Sequence, residues 1–318
     1  YIYIINMSKV FVIMYHFVKK ENDSTKKYFN YLSINKFIKS IKYLKKNYEI
    51  INPTKKDKIF TNKKNKKKLC WLTFDDGYID HYNNVVPILN KYKIQGTFFP
   101  VTSVLQKKYV LDANKIQSLV NIKKNDLIIK LIEKKFNQIY KKRLFKNLTN
   151  KIIFENISTR RFDDKKTLKI KLLLQKYLNK EKRKYIINYL FTKLIPKKDK
   201  KKFSEMYMNI KQLKEIKKQG HEIGCHSHSH EWLEIMNYKA AKSEICKSLN
   251  YIERKFNINK RKIVFCYPFG SKNDRIISIL KNKNIKFAVS TKVNHFDTNK
   301  NNFLDIPRLD TNDYKKKF

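Results

Sequence analysis

The sequence predicts an α/β fold in which parallel strands and helices alternate on either side of a helical insertion. Apolar, β-branched runs such as residues 10–15 and 69–74 alternate with segments of helical periodicity. Polar clusters follow several of these runs, as Asp75-Asp76 does, and sites at the carboxyl ends of strands are typical of parallel sheets and barrels. From 112 to 201 the alternation stops, and a Lys-rich stretch without glycine keeps only helical apolar spacing.

This change of character divides the chain into three segments. We expect residues 7–111 to form the first part of a sheet or barrel, residues 112–201 a helical insertion, and residues 202–318 the second part. Of the 318 residues, 42% are hydrophobic and 14% aromatic, which is enough for a large buried core.

Periodicity sets the order of elements in both outer segments. Before the insertion we expect, in order, a strand at 10–15, a helix capped by Ser33, strands at 48–51 and 69–74, a helix at 81–92 and a strand at 96–101. After it we expect a helix at 211–219 that ends at Gly220, and strands at 221–225, 263–267 and 286–290 separated by helices at 241–256 and 274–283.

The composition is strongly basic, with 73 Lys and Arg against 27 Asp and Glu and a formal net charge of +46. A polyanionic partner such as nucleic acid would explain this excess, but most of it is Lys scattered along the whole chain. Arg, the residue suited to bidentate phosphate contacts, is rare. We therefore interpret the excess as compositional drift, expect no nucleic-acid partner, and interpret the basic run at 63–68 as a solvated loop.

The four cysteines, Cys70, Cys225, Cys246 and Cys266, form no CxxC pair, and three lie in apolar, strand-like surroundings. We interpret them as small buried side chains and not as a disulfide framework. The apolar run at 10–14 is too short to span a membrane and lacks a signal-peptide cleavage site. We therefore expect no transmembrane segment and a cytoplasmic location.

Asp75 and Asp76 are the first candidate catalytic residues. They follow an apolar run and precede Gly77. Because successive side chains of a strand alternate, adjacent carboxylates at a strand end point in different directions. One could bind a metal while the other faces a water molecule, although Asp-Gly also occurs in ordinary solvated turns.

Three of the seven histidines, His226, His228 and His230, fall within five residues after a predicted strand. Imidazoles are common ligands of zinc. One helical turn would place His226 and His230 on one face, whereas an extended segment would pair either of them with His228. The spacing leaves these pairings open, and a surface loop without function is the alternative.

One carboxylate and two imidazoles would form a three-ligand metal site with open positions. Such a site is suited to Zn²⁺ in hydrolysis or to Fe²⁺ in oxygen chemistry. The second carboxylate favours hydrolysis, because a metal-activated water needs a general base.

These segments resemble the polysaccharide deacetylase family, whose catalytic domain is called the NodB homology domain. Thr73-Phe74-Asp75-Asp76-Gly77 is similar to its first motif, and His226-Ser227-His228-Ser229-His230 is similar to its second. The stretches 14–16, 96–99 and 267–270 resemble further recurring segments. The resemblance runs from about residue 9 to residue 310 and implies a distorted (β/α) barrel of the NodB, or glycoside hydrolase/deacetylase, type.

The resemblance implies a hydrolase that removes N-acetyl or O-acetyl groups from a carbohydrate, either a cell-surface polysaccharide or its precursor. It implies that Asp76, His226 and His230 bind a divalent cation, with Zn²⁺ expected first and Co²⁺ or Ni²⁺ as alternatives. Asp75 would be the general base, and Tyr267 would lie in the substrate groove with its backbone N–H at the oxyanion. The implied partner is an N-acetylated glycan.

Two features depart from the family pattern. The stretch 265–270 lacks the Arg that often orients the catalytic Asp, and Arg308 is our candidate to replace it, since a guanidinium can hold a carboxylate through two parallel N–H bonds. The Leu-x-His pattern that usually supplies the general acid is absent, so the acid is unassigned. His16 is a candidate acid or substrate contact, and His295 is the remaining histidine late in the chain.

Two other functions fit the same residues. A relative with this scaffold could act as an amidohydrolase on a non-sugar C–N bond. It could also bind glycans without catalysis after losing the acid. Release of acetate from an N-acetylated oligosaccharide distinguishes both from a carbohydrate deacetylase.

Overall fold

The structure is a computed structural model that describes residues 9–54, 68–140, 142–153, 162–299 and 302–314. The basic run interpreted as a loop at 63–68 lies outside these residues except for its last lysine. Residues 7–8 and 315–318, at the outer ends of the predicted segments, lie outside them as well.

The chain forms two compact units. The first comprises Tyr1–Glu21, Tyr31–Lys107 and Met206–Phe318, and the second comprises Asn22–Asn30 and Lys108–Glu205. The predicted insertion at 112–201 falls within the second unit, which also takes in a short segment from near the amino terminus.

Within the described ranges, all strands belong to the first unit. They are β1 (Lys9–Tyr15), β2 (Val18–Lys19), β3 (Leu32–Ser33), β4 (Tyr48–Ile50), β5 (Lys68–Asp76), β6 (Thr97–Pro100), β7 (Glu222–Ile223), β8 (Phe265–Cys266), β9 (Ala288–Val289), β10 (Phe296–Asp297) and β11 (Leu309–Asp310).

The α-helices of both units are numbered together in chain order. They are α1 (Ile34–Asn47), α2 (Val86–Lys91), α3 (Thr102–Gln106), α4 (Asp112–Asn121), α5 (Asn125–Ile139), α6 (Lys142–Ile153), α7 (Lys165–Leu172), α8 (Lys180–Leu194), α9 (Lys197–Ser204), α10 (Ile210–Lys218), α11 (Tyr238–Phe256), α12 (Asp274–Asn282) and α13 (Thr311–Tyr314). No helix in the described ranges has both the length and the apolar character needed to cross a membrane.

Parallel pairing and single bridges join seven strands of the first unit into a circuit, whereas β2 and β3 form a separate pair and β10 lies antiparallel beside β1. β1 pairs with β5, β5 with β6, and β6 with β7. A bridge from Cys225 to Phe265 leads to β8, which pairs with β9, and a bridge from Val289 to Ile306 leads to the segment that ends in β11. β11 pairs in parallel with β1, so the order returns to its starting strand. This connectivity is that of a distorted barrel, in which short strands and single bridges complete one side.

Side chains of β1 and β5 alternate between two buried clusters. Val10, Val12 and Trp71 belong to a cluster built from strands and the segments that flank them, which is the barrel interior. Ile13 and Phe74 belong to the larger cluster, which includes the apolar faces of the helices. Asp75 follows Trp71 by four positions, so the same alternation places it on the inner face, at the carboxyl end of β5.

Most predicted elements are present with shifted ends. Ser33 caps α1 as expected, with its hydroxyl accepting a hydrogen bond from the backbone N–H of Lys36. The helix expected at 81–92 begins instead as a π-helical turn, His81–Val85, before α2. The three strands expected after the insertion shrink to the two-residue β7, β8 and β9, because single bridges replace longer ladders there.

The described secondary structure of the second unit is helical, from α4 to α9, with a π-helical turn at Leu173–Tyr177. The segment 22–30 joins this unit through Tyr28, whose hydroxyl donates to Asp199 Oδ2 at 2.7 Å. Lys27 Nζ lies 3.0 Å from the same oxygen, and the ring of Tyr28 packs on Phe203. No local sequence pattern marks this segment, because its partners are about 170 residues further along the chain.

A buried hydrogen-bond chain crosses the barrel interior and generates a stability prediction. The indole N–H of Trp71 donates to Thr97 Oγ1 at 2.8 Å, and the Thr97 hydroxyl donates to Glu222 Oε2 at 3.1 Å. Replacing Thr97 by Val keeps the shape but leaves two buried polar groups without this partner. We expect a loss of about 2 kcal/mol in the free energy of unfolding, measured by urea denaturation. Thr97→Ser, which keeps the hydroxyl, should be clearly more stable than Thr97→Val, and equal stability of the two variants would contradict the prediction.

Candidate active site

Two adjacent carboxylates end strand β5 and face different partners. Asp75 continues the strand and is buried on its inner face. Asp76 leaves the strand geometry, because its φ is 69°, and Gly77 follows with a φ of 71°, a region that glycine adopts without steric cost. Because of this left-handed turn, the side chains of Asp75 and Asp76 contact different groups of residues.

Asp75 is held by a buried guanidinium. Arg308, which is 1% exposed, donates from Nη1 to Asp75 Oδ1 at 2.7 Å and from Nη2 to Asp75 Oδ2 at 2.8 Å. Its remaining N–H groups reach Ser290 O at 2.9 Å, Thr73 Oγ1 at 3.0 Å and Cys266 Sγ at 3.2 Å. All five donors of the guanidinium therefore have an acceptor. The expected contact between Arg308 and Asp75 is present, and it is direct.

The charge of Arg308 keeps Asp75 ionised. Burial alone raises the pKa of the Asp75 carboxyl, but the charge and hydrogen bonds of Arg308 outweigh burial, so the pKa lies below its usual value. His226 and His16 act in the same direction. Asp75 is thus a carboxylate at neutral pH, which is the form that a general base requires.

Asp76 lies between two imidazoles and a phenol. Its Oδ1 is 3.4 Å from His226 Nε2 and 3.3 Å from His230 Nε2, and its Oδ2 accepts a 2.5 Å hydrogen bond from the Tyr78 hydroxyl. The Nδ1–H of His226 donates to the carbonyl oxygen of Cys266 at 2.9 Å. That bond fixes the imidazole so that its Nε2 faces Asp76.

The two histidines of this cluster are brought together by a loop that is not a helical turn. Ser227 and His230 both have left-handed backbone, with φ values of 60° and 56°, and the N–H of His230 donates to Ser227 Oγ at 3.2 Å. His228 lies apart, with its Nδ1 3.0 Å from Thr102 Oγ1. Of the pairings that the spacing left open, the structure contains the one between His226 and His230.

Left-handed backbone is concentrated at this site. The non-glycine residues with positive φ in the described ranges are Asp76, Lys93, Lys123, Ser227, His230, Asn257, Phe269 and Asn284. Four of them, Lys93, Lys123, Asn257 and Asn284, follow helix ends, where this conformation is common. The other four lie at the site: Asp76 itself, Ser227 and His230 in the His-rich loop, and Phe269, whose ring packs on His230. Each such residue costs about 1–3 kcal/mol, so the surrounding contacts must hold these segments in strained conformations.

The ligand atoms of Asp76, His226 and His230 fit a divalent cation. Two ligands that are each about 2.0–2.1 Å from a tetrahedral ion lie about 3.4 Å apart, which is close to the separations of Asp76 Oδ1 from the two Nε2 atoms. That oxygen is buried and has no hydrogen-bond partner among the described residues, so its lone pairs are available to a cation. One carboxylate and two imidazoles are donors typical of hydrolytic zinc sites.

A second group of possible ligands, Asp75, His226 and Cys266, also has its donor atoms within 4.8 Å of one another. It suits a cation less well, because Asp75 is already bound by Arg308. Burial raises the pKa of the Cys266 thiol, which disfavours the thiolate that a metal would need. Asp76, His226 and His230 are therefore the better metal site.

The structure corrects the interpretation of Tyr267. Its side chain is fully buried in the core cluster that includes the helices, and its hydroxyl donates to Leu304 O at 2.8 Å. Its backbone N–H donates to Val289 O at 3.1 Å. Because strand pairing uses this N–H and the core encloses the ring, Tyr267 neither lines a groove nor offers an oxyanion donor.

His16 lies at the same rim as the carboxylates. Tyr15 is paired with Phe74 between β1 and β5, so the next residue, His16, stands beside Asp75, and its side chain is half-buried. Its carbonyl accepts a 2.7 Å hydrogen bond from the buried His81 imidazole. His295, in contrast, is exposed and packs on Phe11 toward the amino end of β1, far along the strand from the carboxylates.

Sequence reasoning missed several side chains that position the site. Cys266 and Tyr78 contact the two carboxylates directly, and Glu244 of α11 accepts hydrogen bonds from the backbone and hydroxyl of Ser229 in the His-rich loop. The sequence marks only Glu244, because an acidic residue within the apolar stripe of a helix indicates a buried polar contact. Cys266 and Tyr78 gave no signal, because a small thiol in a strand and a tyrosine after a turn are ordinary residues there.

Comparison with known proteins identifies the class to which this fold and site belong. The chain matches the polysaccharide deacetylase family over residues 62–139 and 162–288, which is more than half of its length. The chain therefore belongs to the polysaccharide deacetylase family, and the resemblance expected from its motifs is confirmed.

Solved structures confirm the fold class. A Streptococcus pyogenes deacetylase, PplD, determined in complex with acetate, superposes with a TM-score of 0.59 at 19% identity, over 95% of this chain and 92% of that chain. IcaB from Ammonifex degensii superposes with a TM-score of 0.58 at 14% identity, over 97% and 94%. At such low identity these likenesses establish the architecture alone.

A curated relative shares more sequence over a shorter stretch. Poly-β-1,6-N-acetyl-D-glucosamine N-deacetylase of Staphylococcus aureus is 37% identical over 100 residues, which cover 28% of this chain and 34% of that protein. The match thus spans about a third of the length of that relative.

The His-rich loop provides a matched pair of variants for metal binding. His226→Ala removes one predicted ligand, whereas His228→Ala changes the same loop two residues away, outside the cluster. We expect His226→Ala to lose Zn²⁺ and Co²⁺ binding in calorimetric titration, and His228→Ala to bind nearly as the wild type does. Loss of binding in both variants, or in neither, would show that the ligands are assigned wrongly.

Proposed function

We propose that this protein hydrolyses N-acetyl groups, or O-acetyl groups, on a carbohydrate, with a divalent cation held by Asp76, His226 and His230. The observation that carries the proposal is the separation of two adjacent carboxylates into different environments. Asp75 is paired with Arg308, and Asp76 faces two imidazoles. A metal-assisted hydrolytic site uses both a general base and a metal ligand, and these environments suit the two roles.

Asp75 acts as the general base in this proposal. It takes a proton from the water that attacks the acetyl carbonyl carbon. Arg308 holds both carboxylate oxygens, so the base keeps one rotamer and remains ionised before the proton is transferred. Such fixed orientation lowers the entropy that must be lost on reaching the transition state.

Asp76, His226 and His230 would hold the cation, with Zn²⁺ expected and Co²⁺ or Ni²⁺ as alternatives. When bound, it supplies Lewis-acid polarisation of the carbonyl and lowers the pKa of water. The chain contributes the orientation of the ligands, through the Cys266 carbonyl on His226 and the Tyr78 hydroxyl on Asp76.

Cleavage of the amide requires a proton for the departing sugar nitrogen, and the products are acetate and an amine. His16 is our candidate donor, because it stands at the carboxyl end of β1 beside Asp75 and is half-buried. The contact of its carbonyl with His81 holds the loop that carries it.

The substrate we propose is an N-acetylated glycan, either a cell-surface polysaccharide or its precursor. Family membership supports this class. The staphylococcal relative, which is named for poly-β-1,6-N-acetyl-D-glucosamine, supports an N-acetylhexosamine polymer as the first glycan to examine.

Acetate release is the direct test of this function and of the role of Asp75. We expect the wild-type protein to release acetate from N-acetylglucosamine oligomers after addition of Zn²⁺ or Co²⁺, and to lose this activity with a chelator. Asp75→Asn should lower kcat by about 10²–10⁴-fold, because it removes the base, while metal affinity stays close to that of the wild type.

Asp75→Asn also leaves Arg308 without its counter-charge, so its folding must be verified by circular dichroism. Asp75→Glu keeps the charge but displaces the carboxylate, and it should fold and still lose most activity. Metal loss in Asp75→Asn equal to that in His226→Ala would show that the two carboxylates have been assigned to the wrong roles. A wild-type protein that binds the oligomers without releasing acetate would favour a glycan-binding relative.

A further inference from the structure

Cys266 contacts both halves of the candidate site. Its sulfur lies 3.2 Å from Nη2 of Arg308 and 3.6 Å from Oδ2 of Asp75. Its backbone carbonyl accepts the 2.9 Å hydrogen bond from Nδ1 of His226. Cys266 therefore contacts the proposed base Asp75, the Arg308 guanidinium that orients this base, and the proposed metal ligand His226.

The side chain of Cys266 completes the hydrogen bonding of a fully buried guanidinium. One N–H of Nη2 donates to Asp75, and the sulfur is the acceptor for the other. Without the sulfur this N–H would be buried without its partner, and an unpaired N–H of a buried cation is costly. The guanidinium could then rotate toward another acceptor and carry the Asp75 carboxylate with it.

The Cys266 thiol also donates a hydrogen bond of its own. The S–H points to Asp75 Oδ2, the same oxygen that Nη2 of Arg308 holds, so the three groups form a closed triangle. A thiol is a weak donor and a weak acceptor. Its hydrogen bond to Asp75 Oδ2 therefore adds to the stronger bond from Arg308 and does not displace it. The triangle fixes the position of Oδ2 from two sides.

We propose that Cys266 is a positioning residue, whose thiol fixes the Asp75 carboxylate through the Arg308 guanidinium while its carbonyl fixes the His226 ring. A substitution of Cys266 can separate these two contacts, because it removes the thiol and keeps the backbone carbonyl. The expected effect of the thiol on kcat rests on the proposed function, whereas its hydrogen bonds to Arg308 and Asp75 do not.

Kinetics and metal binding test the separation. Cys266→Ala should lower kcat by about 10-fold or more, with little change in KM or in Zn²⁺ affinity, because the carbonyl that orients His226 remains. Cys266→Ser, which restores a donor and an acceptor, should recover much of the lost kcat. Cys70→Ala is the control, since Cys70 is equally buried in β5 but belongs to the cluster that includes the helices. It should reduce stability and leave kcat unchanged.

Infrared spectroscopy tests the thiol without any turnover. The S–H stretching band that disappears in Cys266→Ala should shift in Asp75→Asn, because a neutral amide is a weaker acceptor than a carboxylate. A shift in a protein that releases no acetate would support the placement of the thiol and reject the proposed reaction. A wild-type kcat in Cys266→Ala, or a band that does not respond to Asp75→Asn, would overturn the positioning role.

Discussion

The buried pair of Arg308 and Asp75 is the contact on which the geometry of the site depends. A carboxylate that is 2% exposed stays ionised only if a counter-charge accompanies it, and the guanidinium meets this requirement with two parallel hydrogen bonds. The same guanidinium reaches Ser290 after β9, Thr73 on β5 and Cys266 on β8. It thus ties β5 to the pair of strands β8 and β9, which joins the neighbouring strands through single bridges. Since removing one partner of such a pair leaves an uncompensated buried charge, neither residue can be changed without affecting the rim of the barrel.

The left-handed turn at Asp76 gives the second carboxylate a separate environment. Regular strand geometry would send this side chain toward the apolar cluster that includes the helices, where burial of a charge is costly. With a φ of 69° the carboxylate instead meets His226 and His230, whose loop contains two further left-handed residues. Strain at several positions of one site is characteristic of functional loops that packing holds in place. Here the contacts of Glu244 with Ser229 and of Cys266 with His226 are the restraints.

The candidate residues could be found because metal and acid–base chemistry restricts them to a few side-chain types at the ends of strands. The two carboxylates and the cluster of three histidines were found in this way. The choice of His226 and His230 among the histidines, and of Arg308 as the partner of Asp75, rested on the resemblance to the family. The pairing of His226 with His230 could not be predicted from spacing, because it depends on left-handed residues in the loop between them. The role expected of Tyr267 came from the resemblance alone. It is wrong because the register of β8 against β9 turns the side chain of Tyr267 into the core and uses its backbone N–H. The segment 22–30 was missed because its contacts with Asp199 and Phe203 are long-range and leave no local pattern.

The central claim is that Asp76 binds the metal while Asp75 remains with Arg308. Crystals of the zinc-loaded protein, measured at the zinc absorption edge, would test it most directly through an anomalous difference map. We expect one peak bounded by Asp76 Oδ1, His226 Nε2 and His230 Nε2, with the Arg308–Asp75 pair intact. A peak among Asp75, His226 and Cys266, or no peak at saturating zinc, would contradict it.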